Sequence, residues 1–341
     1  MVVDKSYKIA TIGSHSALQI LKGAKDEGFE TICICLKGRE KPYQQFKVAD
    51  KIISIKDFSE FEKVQDELLK DNAIIIPHAS FISYMGLERV EKLKVPYFGN
   101  KEILKWESDR NWERKWLTKA GLKMPKIFKK PEDIDRPVIL KFHGADGGKG
   151  YFLAKNYNDF KRKIKLHPNS KKYVIQEYIL GVPMYAHYFH SPLTGETELM
   201  GFDKRYESNV DSLGRISARD QMALPKEQVD PSYVIVGNMP VVVRESYLPG
   251  YISKGEKTVK ESKKLVKGGL FGPFCLETII TPDGEIITFE ISARIVAGTN
   301  PYVHGSPYTW LRYNEPMSTG RRIAREIKLA IEQNKLNKVL S

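Results

Sequence analysis

The chain has 341 residues, which at roughly 150 per domain implies two or three lobes with ample core. Lys and Arg (55) outnumber Asp and Glu (42) for a net charge of +13, which suits an anionic partner. The basic residues interleave with glutamate, as in Lys254-Gly255-Glu256-Lys257, and no RNA-recognition aromatic motif, zinc-finger spacing or basic zipper occurs, so nucleic acid is not the expected partner. No run approaches the ~18 apolar residues of a membrane span and no signal-peptide profile precedes the first strand, so a cytoplasmic protein with no membrane partner is expected. Cys33, Cys35 and Cys275 make no C-x-x-C pair and read as small core residues.

Strand and helix signals alternate over the first hundred residues. The spacing predicts strands from Tyr7 to Ile12, Thr31 to Leu36, Lys51 to Ile55 and Ala73 to Pro77, with a short one at Tyr97-Phe98. Helices are expected from Ser16 to Glu27, Ser59 to Lys70 and Gly86 to Leu93, the first stopped by Gly28. Buried strands alternating with helices imply a parallel sheet covered on both faces, whose ligands bind at the carboxyl ends of the strands. Two loops stand at those ends, Gly13-Ser14-His15-Ser16 and Pro77-His78-Ala79-Ser80. Each offers hydroxyls, an imidazole and backbone N–H groups, and the first enters a helix whose amino terminus favours anions. Helix capping by Ser14 or Ser16 accounts for the first loop equally well.

A second lobe is expected to begin with a helix across Glu107 to Ala120 that Gly121 and Pro125 terminate. Strand Val138 to Phe142 runs into His143-Gly144-Ala145-Asp146-Gly147-Gly148-Lys149-Gly150 and then strand Tyr151 to Ala154. Such a loop can close over a ligand, and its N–H groups with Lys141 and Lys149 can clamp phosphates. Because neither a helix nor Gly-Lys-Ser/Thr follows, it is not a Walker loop or a dinucleotide fingerprint. After a helix from Asn158 to Leu166, the strand Tyr173-Val174-Ile175-Gln176-Glu177-Tyr178-Ile179 ends before Gly181 and presents backbone groups that suit a purine edge. The rest is strand-rich until a basic amphipathic helix, Arg321 to Leu329, with Ile323 and Ile327 on one stripe.

Within that last third, Phe274 to Ile280 and Glu285 to Ser292 flank a Pro282-Asp283-Gly284 turn and read as a hairpin. Counting back from the turn sets Glu277 opposite Glu290, or one residue off if Gly284 forms a bulge. Like charges facing across a ladder destabilise it. Two readings stand: the pair holds a divalent cation, Mg²⁺ or Mn²⁺ bridging to phosphate oxygens, or one glutamate faces solvent at a sheet edge.

The succession of α/β lobe, lysine strand and glycine loop, Glu-Tyr-Ile hinge and two acidic strand residues ending in Glu290-Ile291-Ser292-Ala293-Arg294 resembles the ATP-grasp ligases over nearly the whole chain. The glycine loop, Tyr188-Phe189-His190-Ser191-Pro192, Gly201-Phe202-Asp203-Lys204-Arg205-Tyr206-Glu207, Val236-Gly237-Asn238-Met239-Pro240 and Phe289 to Asn300 are similar to one family within them. That family is the archaeal formate-dependent synthetases of 5-formaminoimidazole-4-carboxamide ribonucleotide (FAICAR). The resemblance implies an α/β and α+β chain: an N-terminal parallel-sheet domain (residues 1–105), an ATP-grasp small lobe (106–183) and a large lobe (184–341). It implies an enzyme of IMP biosynthesis that joins formate to the amine of the aminoimidazole carboxamide ribonucleotide (AICAR), with ATP as co-substrate. An ATP-grasp ligase for another substrate pair and a non-catalytic AICAR-binding paralogue are the alternatives.

The same resemblance implies residue roles. Lys141 and Arg294 are the expected catalytic groups. ATP is expected against Lys141, Gly144, Gly147, Gly148, Lys149, Gly150, Gln176, Glu177, Tyr178, Ile179 and Glu207, AICAR against His15, Ser80 and Asn238, and Mg²⁺ or Mn²⁺ on Glu277 and Glu290. A homo-oligomer, trimeric or hexameric, is also implied. Ser292 stands where many ATP-grasp enzymes have a metal-binding asparagine, and Asp146 puts a negative charge in the glycine loop that nothing in the resemblance explains.

Overall fold

The computed structural model describes residues 7–142, 151–167, 173–207, 210–225 and 235–341. Four parallel strands, β1 (Lys8–Ile12), β2 (Glu30–Leu36), β3 (Lys51–Ile55) and β4 (Ala73–Ile75), lie in the order β3-β2-β1-β4. Their Ile and Ala runs are buried on both faces, as parallel sheets require, with Ile12, Ile34, Ile75, Phe61 and Phe81 in one core cluster. The expected strand to Pro77 ends at Ile75, because His78 caps a helix, Ala79–Met85, by accepting from Ser80 N. Tyr97 and Phe98 make isolated bridges to Ile75 and Leu340 rather than a strand.

A second, antiparallel sheet is smaller: β5 (Ile127–Phe128), β6 (Val138–Phe142), β7 (Tyr151–Ala154) and β8 (Tyr173–Glu177), in the order β5-β8-β6-β7. Phe128, Val138, Leu140, Ile175 and, from the Tyr157–Ile164 helix, Phe160 form its separate core. The third sheet is antiparallel and long: β9 (Val182–His190), β10 (Thr197–Glu207), β11 (Ile235–Val241), β12 (Gly272–Ile280) and β13 (Ile286–Ser292), in the order β11-β10-β9-β12-β13.

Period-two alternation divides this large sheet into two unlike faces. Ala186, Tyr188, Phe202, Phe274, Leu276 and Ile291 pack with Tyr251 and Val259 of the Leu248–Leu265 helix and with Trp116 and Leu117 of the Arg110–Lys119 helix. Trp116 Nε1 donates to Thr258 O at 3.0 Å. The helix expected to open the small lobe is therefore anchored in the core of the large sheet, and the small lobe's own core begins at Phe128. Tyr185, His187, Asp203, Arg205, Glu277 and Glu290 occupy the opposite face, where an apolar layer would have been expected from burial alone.

The chain's final helix, Thr319–Glu332, fastens the N-terminal unit to this sheet. It lies along the Ala17–Asp26 helix, with Glu27 held by Arg321 and Arg325 at 2.7 and 2.6 Å, while Arg322 reaches Glu198 of β10 at 2.9 Å. The amphipathic stripe read in the sequence, Ile323 and Ile327, is buried in that interface. Cys33, Cys35 and Cys275 are buried free thiols. Among the described residues no helix is long and apolar enough to cross a membrane.

Candidate active site

The hairpin sets Glu277 directly opposite Glu290, and two irregularities together do so. Gly284, at φ 83°, closes a turn that pairs Ile280 with Ile286 and Thr278 with Thr288. Continued regularly, this register would put Glu277 opposite Phe289 and send the two glutamates to opposite faces. A bulge at Phe289 inserts the extra residue and brings both carboxylates to one face. Glu290 is exposed, whereas Glu277 is 3% exposed. Burial and the facing Glu290 push the Glu277 carboxyl up to about 7, against the pull of Arg205. Hard carboxylate oxygens are the donors that Mg²⁺ and Mn²⁺ prefer. Two facing carboxylates suit a cation of this kind whose remaining ligands arrive with a phosphorylated substrate and water.

A cleft of about 480 Å³ opens beside Glu290, between the large sheet and the small lobe. Lys141 of β6 and Gln176 of β8 line it from one side, and Arg110, Glu113 and Glu107 from the helical side. Burial lowers the Lys141 ammonium, while Glu290 raises it. Glu113 accepts from Ile291 N at 2.6 Å, and Glu107 accepts from Ala293 N at 3.1 Å with its other oxygen 2.6 Å from Arg294 Nη1. These two helical carboxylates thus fix the backbone immediately after Glu290. The Arg294 contact is an ion pair without hydrogen-bond alignment, and Arg294 Nε is buried with no partner among the described residues. Burial raises both Glu107 and Glu113.

At the expected purine edge, most of the backbone is already committed. Glu177 N donates to Lys126 O at 2.8 Å and Tyr178 N to Pro137 O at 2.9 Å. The Glu177 carboxylate accepts from Lys126 N and Arg136 Nη1 at 3.0 and 2.9 Å. Ile179 N makes no hydrogen bond among the described residues and remains the available donor of the three. Glu207 ends β10, partly buried, on the strand face that carries Arg205.

His15 and Ser80 come together although 65 positions apart, with Ser80 Oγ and His15 Nδ1 at 2.5 Å. Ser14 Oγ reaches Ser80 Oγ at 3.3 Å and Tyr84 OH at 3.2 Å. His15 sits in left-handed backbone at φ 41°, a conformation uncommon outside glycine and a form of strain that gathers at functional loops. Burial and Arg294 lower its imidazole. His78 is fully buried behind it: Nε2 donates to Ile12 O at 2.7 Å, Nδ1 accepts from Ser80 N at 3.2 Å, and burial pulls the ring down to about 4. Asn238 of β11 donates from Nδ2 to Asp203 at 2.7 Å.

The glycine loop, with Gly144, Asp146, Gly147, Gly148, Lys149 and Gly150, lies outside the described residues. Reasoning on the sequence missed Arg205, Glu107, Glu113 and the His187–Asp203 pair. Odd-numbered polar positions at 203, 205 and 207 of a strand were the signal for Arg205 and Asp203; the two helical glutamates carried none, since a charged helix position ordinarily faces water.

Two family models match, a protein of unknown function (DUF1246) over residues 9–128 and a domain of unknown function (DUF1297) over residues 153–341. A 5-formaminoimidazole-4-carboxamide-1-(beta)-D-ribofuranosyl 5'-monophosphate synthetase of Pyrococcus abyssi is 58% identical over 98% of this chain and 98% of its own length. The chain belongs to this FAICAR synthetase family. A relative from Methanocaldococcus jannaschii carrying the same name is 49% identical over 98% of this chain and 94% of its own. The crystal structure of an IMP biosynthesis protein PurP from Thermococcus kodakaraensis superposes with a TM-score of 0.78 at 30% identity, covering 98% of this chain and 100% of that one. The ADP complex of an N5-carboxyaminoimidazole ribonucleotide synthetase matches at TM-score 0.68 and 17% identity, covering 95% and 77%, a likeness of fold alone. By family the chain is a synthetase, and its fold is the ATP-grasp fold.

Proposed function

We propose that the protein formylates the amine of AICAR with formate and ATP, releasing FAICAR, ADP and phosphate. The observation that carries this reading is the juxtaposition, in a FAICAR synthetase chain, of the facing Glu277 and Glu290, with Glu290 sharing one cleft with Lys141. A formate oxygen attacks the γ-phosphorus, ADP leaves, and the formyl phosphate so formed is attacked at carbon by the AICAR amine, which loses a proton as phosphate departs. A divalent cation held by Glu277 and Glu290 supplies neutralisation of the phosphate charge that would otherwise repel formate.

The chain's own residues bind and orient around that chemistry. Lys141 places a positive charge on the transferring phosphoryl group and Arg294, whose Nε has no hydrogen-bond partner among the described residues, on the formyl phosphate. Gln176 lines the ATP cleft, Ile179 N faces the adenine edge, and Glu207 is an outer contact of ATP. The glycine loop, outside the described residues, is assigned to the ATP phosphates from the sequence alone. His15 and Ser80 take the ribonucleotide phosphate at the helix amino terminus, and Asn238 takes the carboxamide. Copies of the chain assemble as a trimer or hexamer, which sedimentation would read directly.

ADP release measured with each substrate omitted in turn tests the reading. Release should require formate and AICAR together and vanish in Glu290→Gln. Formate-independent turnover, or equal turnover with acetate, would sink it.

A further inference from the structure

Asp203 is 1% exposed, and both its oxygens are engaged: His187 Nε2 lies 2.7 Å from Oδ1 and Asn238 Nδ2 donates to Oδ2 at 2.7 Å. A carboxylate has only acceptor sites, so both neighbours must donate to it. That settles two choices that are otherwise free. His187 carries its proton on Nε2, and the Asn238 amide turns its NH₂ inward and its Oδ1 outward. His187 Nδ1 is itself buried with no partner among the described residues. A buried polar ring nitrogen left without a partner is destabilising, so the trio is not an arrangement for stability alone. A Cβ at Gly298 would fall 2.1 Å from Asp203 Oδ1 and 2.8 Å from His187 Cε1, so only glycine packs over the pair.

The segment containing Gly298 also ties the trio to the His15 loop. Within the 3-10 turn Ala297–Tyr302, Asn300 Nδ2 donates to His15 O at 3.0 Å, Gln19 Nε2 donates to Asn300 Oδ1 at 2.9 Å, and Tyr302 OH donates to Phe202 O, next to Asp203. One six-residue brace therefore joins the His15 loop to the strand pair that carries Asp203 and Asn238.

We infer that Asp203 is a positioning residue for substrate selectivity: by orienting Asn238 it presents the ribonucleotide with a hydrogen-bond acceptor backed by a buried carboxylate, which selects a neutral carboxamide and rejects a carboxylate at the same ring position. This rests on the placement of AICAR against Asn238 proposed above. A carboxamide N–H donates to Asn238 Oδ1. A carboxylate sets oxygen against oxygen there, with the Asp203 charge behind it.

The test compares kcat/KM for AICAR and for its 4-carboxylate analogue in the unaltered protein and in Asp203→Asn. The unaltered protein should prefer the carboxamide by at least about 100-fold, since a site built around one hydrogen bond rejects the analogue that lacks it. Asn at 203 can donate or accept and lacks the charge, so Asn238 is free to turn over. The preference should then narrow about tenfold or more through KM for the ribonucleotide, with KM for ATP unchanged within about twofold. General damage would instead move KM for ATP and both ribonucleotides alike, and a folded Asp203→Asn that keeps the full preference overturns the inference. If that variant does not fold, Asn238→Ser, at a half-exposed strand position, carries the test: loss of the preference supports the inference and its retention overturns it. Equal use of both ribonucleotides by the unaltered protein also overturns it, while failure to use AICAR at all is the failure of the proposed function.

Discussion

Arg205 Nη2 lies 2.5 Å from Glu277 Oε1, with the guanidinium 4.0 Å above the Tyr185 ring. The buried member of the acidic pair is thus partnered by a cationic side chain, and removing Arg205 takes that countercharge from the two facing carboxylates. Arg205→Met should lose about 3–5 kcal/mol of stability, the usual penalty for breaking a buried ion pair. Mn²⁺ should return part of that loss, so the metal-induced rise in Tm should exceed that of the unaltered protein. An identical rise in both would contradict the paired role.

Glu277 also predicts a pH dependence. Its folded pKa is raised to about 7 from 4.5, so the folded state holds the proton more tightly than the unfolded chain. Stability from this group is fully present below pH 4.5 and is lost as pH rises through about 7. Glu277→Gln, which keeps an acceptor for Arg205, removes that loss. In chelator, the Tm of Glu277→Gln relative to the unaltered protein should rise between pH 5 and pH 8; a constant gap would contradict it.

How much of this could be read from the sequence differs by element. Strands β3, β6 and β7 match expectation to the residue, because β-branched and aromatic runs bounded by breakers leave little choice. The glutamate pair was legible as a pair, but the bulge at Phe289 that secures its register was not, since nothing in Thr288-Phe289-Glu290 marks an extra residue. Helix Ala79–Met85 was overlooked: the apolar run Ile74-Ile75-Ile76 reads as strand through to Pro77, and the His78 cap depends on a side-chain bond that only the folded loop reveals. The strand expected to run through Ile179 stops at Glu177, and the backbone donors at Glu177 and Tyr178 turn to Lys126 and Pro137, which lie 51 and 41 positions away and have no local signature. Asp203, His187 and Asn238 assemble from three strands, and pairing of that kind is invisible to any reading of one strand at a time.

His78 should impose the opposite pH dependence. Burial pulls it down to about 4 from 6.5, so its contribution is present above pH 6.5 and is lost as pH falls toward 4. The loss amounts to as much as about 3 kcal/mol over that range. Replacement by Asn should flatten the acid limb of a Tm-versus-pH curve, and an unchanged acid limb would contradict neutral burial of this ring.

Lys141 lies in the same cleft as Glu290 and should act on the transition state more than on binding. Lys141→Met should lower kcat by about 10²–10³, the range seen when one preorganised charge is removed, with a smaller change in the dissociation constant of ATP measured by calorimetry. A loss confined to ATP affinity would assign it to ground-state binding instead.

Activation of formate as formyl phosphate moves one formate oxygen to phosphorus, and oxygen transfer reports it directly. When the protein turns over ¹⁸O-labelled formate with ATP and AICAR, the bridging oxygen of formyl phosphate must leave with phosphorus. Mass spectrometry of the released phosphate should find one ¹⁸O per turnover. Unlabelled phosphate accompanying labelled FAICAR would rule out formyl phosphate.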